Sequence, residues 1–256
     1  MLLVERGLVE SRSLAQRLVM AGQVRVAGQV VFKPADKVED QAEIVIDHGP
    51  RFVSRGGEKL EAALEAFGLV DLQNFVCADV GASTGGFTDC LLQHGAIHVY
   101  AIDVGYGILH WKIRQDARVT VMERTNARHV QHLPQPVKLV TIDASFISLK
   151  ILLPVARGWF EGSGQVVALI KPQFEAGRQD AAKGEGVIRD PAVHRKVLEN
   201  VLASVVQEGF GVLGLIRSPL LGPKGNTEFL VWLEYPAIQL TPIEGYIQRL
   251  FPSAEE

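Results

Sequence analysis

Short apolar runs alternate with glycine turns and helical patterns from residue 75 onward. The runs are rich in β-branched residues and occupy 75–80, 98–102, 119–122, 137–142 and 165–170. Apolar residues with helical spacing lie between several of them, at 87–93, 147–160 and 192–208. This alternation predicts a parallel sheet that is covered by helices on both faces.

Two further apolar runs end the pattern, at Gly211–Arg217 and 228–234. The connection between them contains prolines and glycines and leaves no room for a crossover helix, so the two strands should be antiparallel. The predicted fold class is therefore α/β, with a Rossmann-like seven-stranded sheet whose last strand is antiparallel.

The first 48 residues show a different and smaller pattern. Ser13 and Gln16 form a capping-box pair that predicts the start of a helix, and Gly22 marks its end. Alternating residues around a glycine turn predict a hairpin over 24–31, and a third strand follows at 43–46. We predict a small α+β domain over 1–48, a linker over 49–54 and a large domain over 55–256.

Composition narrows the class of protein. Apolar residues make up 47% of the 256 residues and charged residues 21%, which is typical of a folded chain. Cys77 and Cys90 are too few for a disulfide framework and fit a reduced, cytoplasmic compartment. The apolar runs are too short to span a membrane, and the N-terminus lacks the pattern of a secretory signal.

Basic residues concentrate near the N-terminus. The net charge of −3 excludes a uniformly basic surface, but six basic residues stand against two acidic ones between Arg6 and Lys37. Charge alone favours a solvated face. The order of helix, hairpin and Lys-Pro over roughly the first 46 residues, however, resembles the S-four-like RNA-binding domain. That resemblance implies phosphate contacts by basic residues here and in the linker region: Arg6, Arg12, Arg17, Arg25, Lys33, Arg51 and Arg55. Such domains usually begin with a short arginine-containing lead-in, whereas Met1 stands almost inside the first helix, so we expect a reduced RNA surface.

Charged residues gather where the predicted strands of the large domain end. Asp103, Asp143 and Lys171 follow three of the parallel strands, and Glu228 begins the returning strand. Because ligands of such sheets bind at the carboxyl ends of the strands, we expect these groups at one edge.

The first strand continues into a glycine turn, DVGASTGGF, and then a helix. A dinucleotide fingerprint would place glycine at position 83, which is Ser83, so NAD is the weaker alternative. The turn resembles the first motif of class I S-adenosylmethionine (SAM)-dependent methyltransferases. Asp103, 22 positions after Gly81, is placed to accept both ribose hydroxyls, and the family places Asn126 near the adenine. The candidate cofactor residues are Asp79, Gly81, Ala82, Ser83, Gly85, Gly86, Phe87, Asp103 and Asn126.

The residues directly after the fourth strand narrow the class of methyl acceptor. The sequence DASF lacks the Asn/Asp-Pro-Pro-aromatic loop of amino-methylating enzymes, and we interpret Cys77 and Cys90 as buried, inert thiols rather than nucleophiles. Four residues match the Lys-Asp-Lys-Glu tetrad of the FtsJ/RrmJ-like ribose 2′-O-methyltransferases: Lys59, Asp143, Lys171 and Glu228. The blocks SRGGEKL, TIDASFISL, IKPQFEAG and GNTEFL, together with the N-terminal domain, resemble the TlyA family over nearly the whole chain.

The resemblance implies a SAM-dependent ribosomal RNA 2′-O-methyltransferase that acts on cytidine of the large subunit, and in some members also of the small subunit. With the short N-terminus, we expect the narrower, large-subunit specificity. Lys171 would take the proton of the ribose hydroxyl when its amine is neutral, and Asp143 and Glu228 would orient it beside Lys59. No metal is needed for this chemistry. The histidines show no zinc-ligand spacing and are interpreted as surface or structural: His48, His94, His98, His110, His129, His132 and His194.

Two other functions stay open, a non-catalytic RNA-binding or assembly protein and, last, a membrane-active hemolysin, a label that family members often carry. The long polar stretch 172–190 is either a lid over RNA, with Arg178, Lys183 and Arg189 touching phosphate, or a plain flexible loop.

Overall fold

The chain divides into two compact units, Met1–Arg51 and Phe52–Glu256. The computed structural model describes residues 2–47, 49–176, 187–239 and 242–251. The second unit begins inside the stretch that the sequence places in a linker, because Phe52 is buried in its core and the Val53 amide donates to Asp89 at 2.9 Å.

The N-terminal unit packs two helices against a small sheet. Helix α1 (Leu2–Glu5) and helix α2 (Arg12–Met20) precede strands β1 (Val24–Val26), β2 (Gln29–Val31) and β3 (Ile44–Ile46). The sheet is antiparallel in the order β2-β1-β3. Its core is formed by Leu3, Val9, Val19 and Val24, so the helix–hairpin–strand order predicted from the sequence is confirmed.

The start of α2 differs from the prediction. The N-cap is Ser11, whose hydroxyl accepts a hydrogen bond from the Leu14 amide at 3.2 Å. Ser13, predicted as the cap, lies within the first turn. Both serines precede the apolar face of the helix, and the cap is decided by which one has extended backbone angles; Ser11 has φ −147° and ψ 154°.

The large unit is built on a seven-stranded sheet. Its strands are β4 (Val76–Val80), β5 (His98–Ile102), β6 (Val119–Met122), β7 (Leu139–Ile142), β8 (Gly164–Ile170), β9 (Gly211–Arg217) and β10 (Phe229–Tyr235). The spatial order is β6-β5-β4-β7-β8-β10-β9. Strand β10 is antiparallel to both of its neighbours, whereas β4 to β8 are parallel where they pair. The predicted sheet with an antiparallel last strand is confirmed.

Helices cover both faces of this sheet. They are α3 (Gly56–Phe67), α4 (Gly86–Gln93), α5 (Trp111–Arg114), α6 (Leu149–Arg157), α7 (Pro172–Glu175), α8 (Pro191–Gln207) and α9 (Ile243–Leu250). One apolar layer contains residues of α6, α8 and α9, and the other contains residues of α3, α4 and α5. Along β8, Val166 and Ala168 belong to the first layer and Val167 and Leu169 to the second, which is the two-residue alternation of a strand buried on both faces.

Helix α6 is shorter than the predicted 147–160. It begins after Ser148, whose hydroxyl accepts a hydrogen bond from the Lys150 amide at 3.2 Å, and it ends before Gly158. Apolar residues continue beyond the helix because they also pack in the adjoining turns. In the described part of the chain, no helix is both long and apolar enough to cross a membrane.

Candidate active site

The register of the sheet brings the ends of four strands together. Val80 pairs with Ile102 and Ile142, and Phe229 at the start of β10 pairs with Ile170 at the end of β8. The residues that follow β4, β5, β7 and β8 and the residue that precedes β10 therefore lie at one edge of the sheet. This is the juxtaposition that the sequence predicts for Asp103, Asp143, Lys171 and Glu228.

The four predicted tetrad residues form two ion pairs. Lys171 Nζ lies 2.5 Å from Asp143 Oδ1 and also donates to Ser145 Oγ at 3.1 Å. Lys59 Nζ, which α3 supplies, lies 2.6 Å from Glu228 Oε2. Both lysines are buried, and Glu228 is only 1% exposed. Buried charges of this kind are stable only when they are paired, which each of these is.

Both ion pairs line one cavity of about 580 Å³. Its other walls come from the glycine turn and from residues before α3 and β10, including Ser54, Arg55 and Leu221. Glu228 Oε1 is buried and has no hydrogen-bond partner among the described residues. A Cβ at Gly222 would lie 2.0 Å from that oxygen, so glycine is required there for the carboxylate to fit. Two amines and two carboxylates therefore line this cavity, and the second oxygen of Glu228 packs against Gly222.

A second cavity of about 640 Å³ adjoins the first. The two share Gly81, Ser83, Asp143 and Ser145 in their walls. The second is also lined by three polar or aromatic residues that follow strands, namely Asp103, Asn126 and Phe146, and by apolar side chains of α6. A polar-ended, partly apolar cleft next to a charged one is suited to a nucleoside whose reactive end enters the charged cavity.

The glycine turn forms the wall between the cavities. Gly81 has φ +84°, and a Cβ there would lie 2.6 Å from the carbonyl oxygen of Asp143, so a side chain would push the β7 loop away. Asp103 holds the turn from the other side, since its two carboxylate oxygens accept hydrogen bonds from the Ser83 amide at 2.8 Å and the Gly105 amide at 2.7 Å. Each oxygen keeps a further lone pair for a ligand hydroxyl.

The remaining predicted cofactor residues differ in whether they line a cavity. Ala82, Gly86 and Phe87 line the first cavity, and Asn126 lines the second while its side chain accepts from the Arg128 amide at 3.2 Å. Gly85 precedes α4 and lies beside Leu109 and Ile113, apart from the described walls of both cavities.

Asp79 lies beneath the turn rather than in a cavity wall. It is fully buried, and it accepts hydrogen bonds from Thr88 Oγ1 at 2.6 Å and Thr141 Oγ1 at 3.2 Å. Burial raises the pKa of this carboxyl to about 7, the threonine hydrogen bonds partly offset that rise, and the charge of Asp143 adds to it. Asp79 therefore ties the first turn of α4 to β7.

Three residues at this edge were missed in the sequence. Ser145 contacts Lys171, as described above. Phe146 is 89% exposed and has φ +63°, a rare conformation for an aromatic residue, and its ring lies 4.7 Å from that of Phe174. Glu175 accepts hydrogen bonds from Ser148 Oγ at 2.6 Å and the Leu149 amide at 2.8 Å, which joins α7 to the start of α6. All three belong to the DASFISL and KPQFE blocks, so their position directly after two strand ends was the available signal.

The predicted RNA-contacting residues differ in their surroundings. In the N-terminal unit Arg12, Arg17 and Lys33 are exposed, and Arg25 lies 3.9 Å from Asp47. The guanidinium of Arg6 donates to the carbonyl oxygens of Asp40 and Ala42, so it braces the loop before β3.

Other basic candidates lie at the boundary of the units and in the long polar stretch. Arg51 is exposed at the end of the first unit, and Arg55 lines the first cavity of the second. Of the residues proposed for a lid, Arg189 is exposed, whereas Arg178 and Lys183 lie outside the described residues.

Neither cysteine lies in a wall of the two cavities. Cys77 and Cys90 are both buried, as predicted. Burial, and secondarily the charge of Asp79, raises the pKa of the Cys77 thiol far above its ordinary value, so it has no nucleophilic character.

Known proteins resemble both units. The FtsJ-like methyltransferase family matches residues 52–235, and the S4 domain family matches residues 1–44. A candidate rRNA methyltransferase of Bacillus subtilis, YqxC, is 47% identical over 242 residues, which cover 92% of this chain and 84% of that protein. The 16S/23S rRNA (cytidine-2′-O)-methyltransferase TlyA of Mycobacterium tuberculosis is 45% identical over 235 residues, 90% of this chain and 87% of that protein. The structure of a candidate hemolysin from Streptococcus thermophilus is similar at a TM-score of 0.72 and 44% identity, covering 97% of this chain and 93% of that one.

Proposed function

Since the chain belongs to the FtsJ-like methyltransferase family and has close TlyA relatives, we propose that it methylates the ribose 2′-hydroxyl of a cytidine in ribosomal RNA. The observation that carries the proposal is the convergence of two Lys–carboxylate pairs on one cavity that adjoins a nucleoside-sized cleft. We infer cytidine from the M. tuberculosis relative, which is named as a cytidine-2′-O-methyltransferase of both 16S and 23S rRNA. We propose that the methylated cytidine lies in the large-subunit RNA, and the methylation experiment below uses RNA of both subunits.

The second cavity fits the nucleoside of SAM. Asp103 would hold the ribose hydroxyls and Asn126 would lie on the adenine side. Gly81 lines both cavities and has no side chain to keep the cofactor from the backbone. Bound SAM supplies a methyl group on a positively charged sulfur, which an oxygen nucleophile can attack. The residues of the chain do the rest of the chemistry.

Lys171 takes the proton of the ribose hydroxyl. Asp143 and Ser145 hold its amine at 2.5 and 3.1 Å, so the amine has a defined position in the cavity. A ribose hydroxyl is a weak nucleophile until its proton is removed or shared, and a positioned general base contributes roughly 10²- to 10⁴-fold to such a rate.

The second pair positions the acceptor sugar. The Glu228 carboxylate lines the first cavity and accepts a hydrogen bond from a ribose hydroxyl. Lys59 neutralises that carboxylate and adds a positive charge beside the oxygen that becomes negative as its proton leaves. Alignment of the hydroxyl with the methyl group accounts for a further share of the rate.

Two surfaces hold the RNA. Phe146 is exposed, lines the second cavity and offers a ring on which the base of the target nucleotide stacks, a contact that RNA-binding proteins use for unpaired bases. The exposed arginines of the N-terminal unit contact phosphates and release counterions, which makes binding salt-dependent.

Methylation of defined RNAs tests the proposal. The protein is incubated with labelled SAM and naked rRNA, separate subunits or whole ribosomes, and the modified nucleotide is mapped by reverse-transcription stops at low nucleotide concentration. We expect one cytidine 2′-O-methyl group in the large-subunit RNA. We also expect loss of methylation, but not of RNA binding, in Lys171→Ala. Lys150→Ala, an exposed lysine of α6, serves as the control. RNA binding without methylation of any of these substrates would instead indicate a non-catalytic RNA-binding protein.

A further inference from the structure

A second cluster of reactive side chains lies apart from the active site. It contains Glu61 of α3, Cys90 of α4 and His94, which caps the C-terminal end of α4. One carboxylate oxygen, the Sγ atom and one imidazole nitrogen all lie within 4.8 Å of one another. The methyl-transfer chemistry uses none of the three.

The cluster arises from helical spacing and from the packing of two helices. Cys90 and His94 are four residues apart, so they share one face at the C-terminal end of α4. Helix α3 packs beside α4 and brings Glu61 onto this face. The Cys90 thiol donates to Glu61 Oε2 at 3.5 Å, and His94 Nε2 lies 2.7 Å from the same oxygen.

The other nitrogen of His94 is held by the backbone. Nδ1 lies 2.7 Å from the carbonyl oxygen of Val70 and donates a proton to it. Histidines that bind metals usually donate their second ring nitrogen in this way, because the hydrogen bond fixes the tautomer that leaves Nε2 free to coordinate.

We propose that Glu61, Cys90 and His94 bind a zinc ion. Thiolate, imidazole and carboxylate are the ligands that zinc takes in proteins, and three of them leave a fourth position for water. With zinc–ligand bonds of about 2.0–2.3 Å, tetrahedral geometry separates ligand atoms by about 3.3–3.8 Å. The sulfur–oxygen distance of 3.5 Å already meets this requirement. The nitrogen–oxygen distance opens by roughly 0.6 Å when the metal replaces the shared proton. The Glu61 and His94 side chains are 10% and 11% exposed, which leaves a path for the ion and its water.

A zinc ion at this position joins the two helices that contribute to the active site. Helix α3 carries Lys59 one half-turn before Glu61, and α4 begins directly after the glycine turn. Because the ion binds the folded arrangement and its ligands are dispersed in the unfolded chain, it stabilises the large unit by mass action.

Spectroscopic metal titration of the full chain tests the site. The protein is stripped with a chelator and titrated with Co²⁺, whose bond to a thiolate gives a charge-transfer band in the near ultraviolet and whose tetrahedral complexes absorb strongly in the visible. We expect saturation at one Co²⁺ per chain, displacement of the bands by Zn²⁺, and a higher Tm with Zn²⁺ than without it. Failure to bind one equivalent would show that the cluster is only a hydrogen-bonded network and would overturn the proposal.

Variants assign the ligands. Cys90→Ala should abolish the charge-transfer band, and His94→Gln should weaken Zn²⁺ binding by at least ~100-fold. Cys77→Ala and His98→Gln are matched controls, because these residues are outside the cluster, and they should keep both band and affinity. A band that survives in Cys90→Ala, or an unchanged affinity in His94→Gln, would contradict the assignment. Should Cys90→Ala fail to fold by circular dichroism, His94→Gln and the wild-type stoichiometry decide the question.

Discussion

Helix α3 carries a buried charged residue on each of two opposite sides, and the surroundings of the two differ. Lys59 pairs with Glu228 at the wall of a cavity, where Glu228 Oε1 has no donor in the described part of the chain. Glu61, two positions later and about 200° around the helix, is enclosed between α3 and α4 with Cys90 and His94. The first side faces a cavity of about 580 Å³, and on the second the three polar atoms lie within 4.8 Å of one another. Burial and pairing are common to both, so the cavity distinguishes the reactive side.

The largest expected effect is on the open side, at Glu228. Glu228→Gln should lower the rate of methyl transfer by roughly 10²- to 10³-fold, because a neutral amide neither balances Lys59 nor accepts the ribose hydroxyl as strongly. SAM affinity, measured by calorimetry, should change little, since Glu228 is absent from the described wall of the second cavity. Glu65→Gln, an exposed glutamate of α3, is the control. A wild-type rate in Glu228→Gln would remove the distinction between the two sides.

Asp79 of β4 is another enclosed carboxyl group, and we expect it to affect the stability of the fold. Its pKa is raised from 3.8 to about 7, so the folded chain keeps a proton that the unfolded chain releases. The contribution of Asp79 to the free energy of unfolding is therefore greatest below pH 4. It falls as the pH rises to about 7 and stays constant above that pH. The contribution is on the order of 4 kcal/mol. In Asp79→Asn, urea unfolding at pH 4.5 and 7.5 should show a smaller fall than in the wild type. An equal fall in both proteins would refute the raised pKa.

Glu175 should show how much the open side depends on a neighbour that touches no reacting atom. It joins the segment after Lys171 to the segment after Asp143 through Ser148 and Leu149. Glu175→Ala should lower kcat by about 10-fold with little change in KM, because small displacements of reacting groups reduce rates sharply. Glu175→Gln should keep much of the wild-type rate, since its amide oxygen can still accept a hydrogen bond from Ser148 Oγ or the Leu149 amide. Equal losses in the two variants, or a loss confined to KM, would contradict a positioning role.

The smallest effect concerns charges on the surface, which belong to neither side. Arg17→Ala should weaken RNA binding a few-fold and reduce the slope of log K against log salt by roughly 1, as expected for one lost phosphate contact. Filter binding at several salt concentrations measures both quantities. Arg195→Ala is the control because its guanidinium is already paired with Glu199 and Glu244. An unchanged slope would show that Arg17 is only solvated.

Much of the fold could be predicted from the sequence because its evidence is local. The β-branched runs, the glycine turn and the connection before the last strand each report on a few neighbouring residues, and the seven-stranded sheet follows from their order. The helix start at Ser11 was missed because two serines satisfy the same local rule. The extended backbone angles that make Ser11 the cap are seen only in the structure. The position of Asp79 beneath the turn was missed because strand alternation places it next to, but not at, the strand end.

Local patterns in the chain were sufficient to place the chemical groups at the strand ends, since parallel strands deliver their carboxyl ends to one edge whatever their detailed packing. How those groups pair could be seen only in the folded molecule. Lys59 with Glu228 and Glu61 with His94 are separated by 169 and 33 residues, and spacing in the chain carries no information on such contacts. The same holds for the Glu61–Cys90–His94 cluster, which no zinc-ligand spacing indicates, because one ligand comes from a different helix from the other two. Distances between side chains on separate elements are set by helix packing and sheet register, and these exist only in the folded chain.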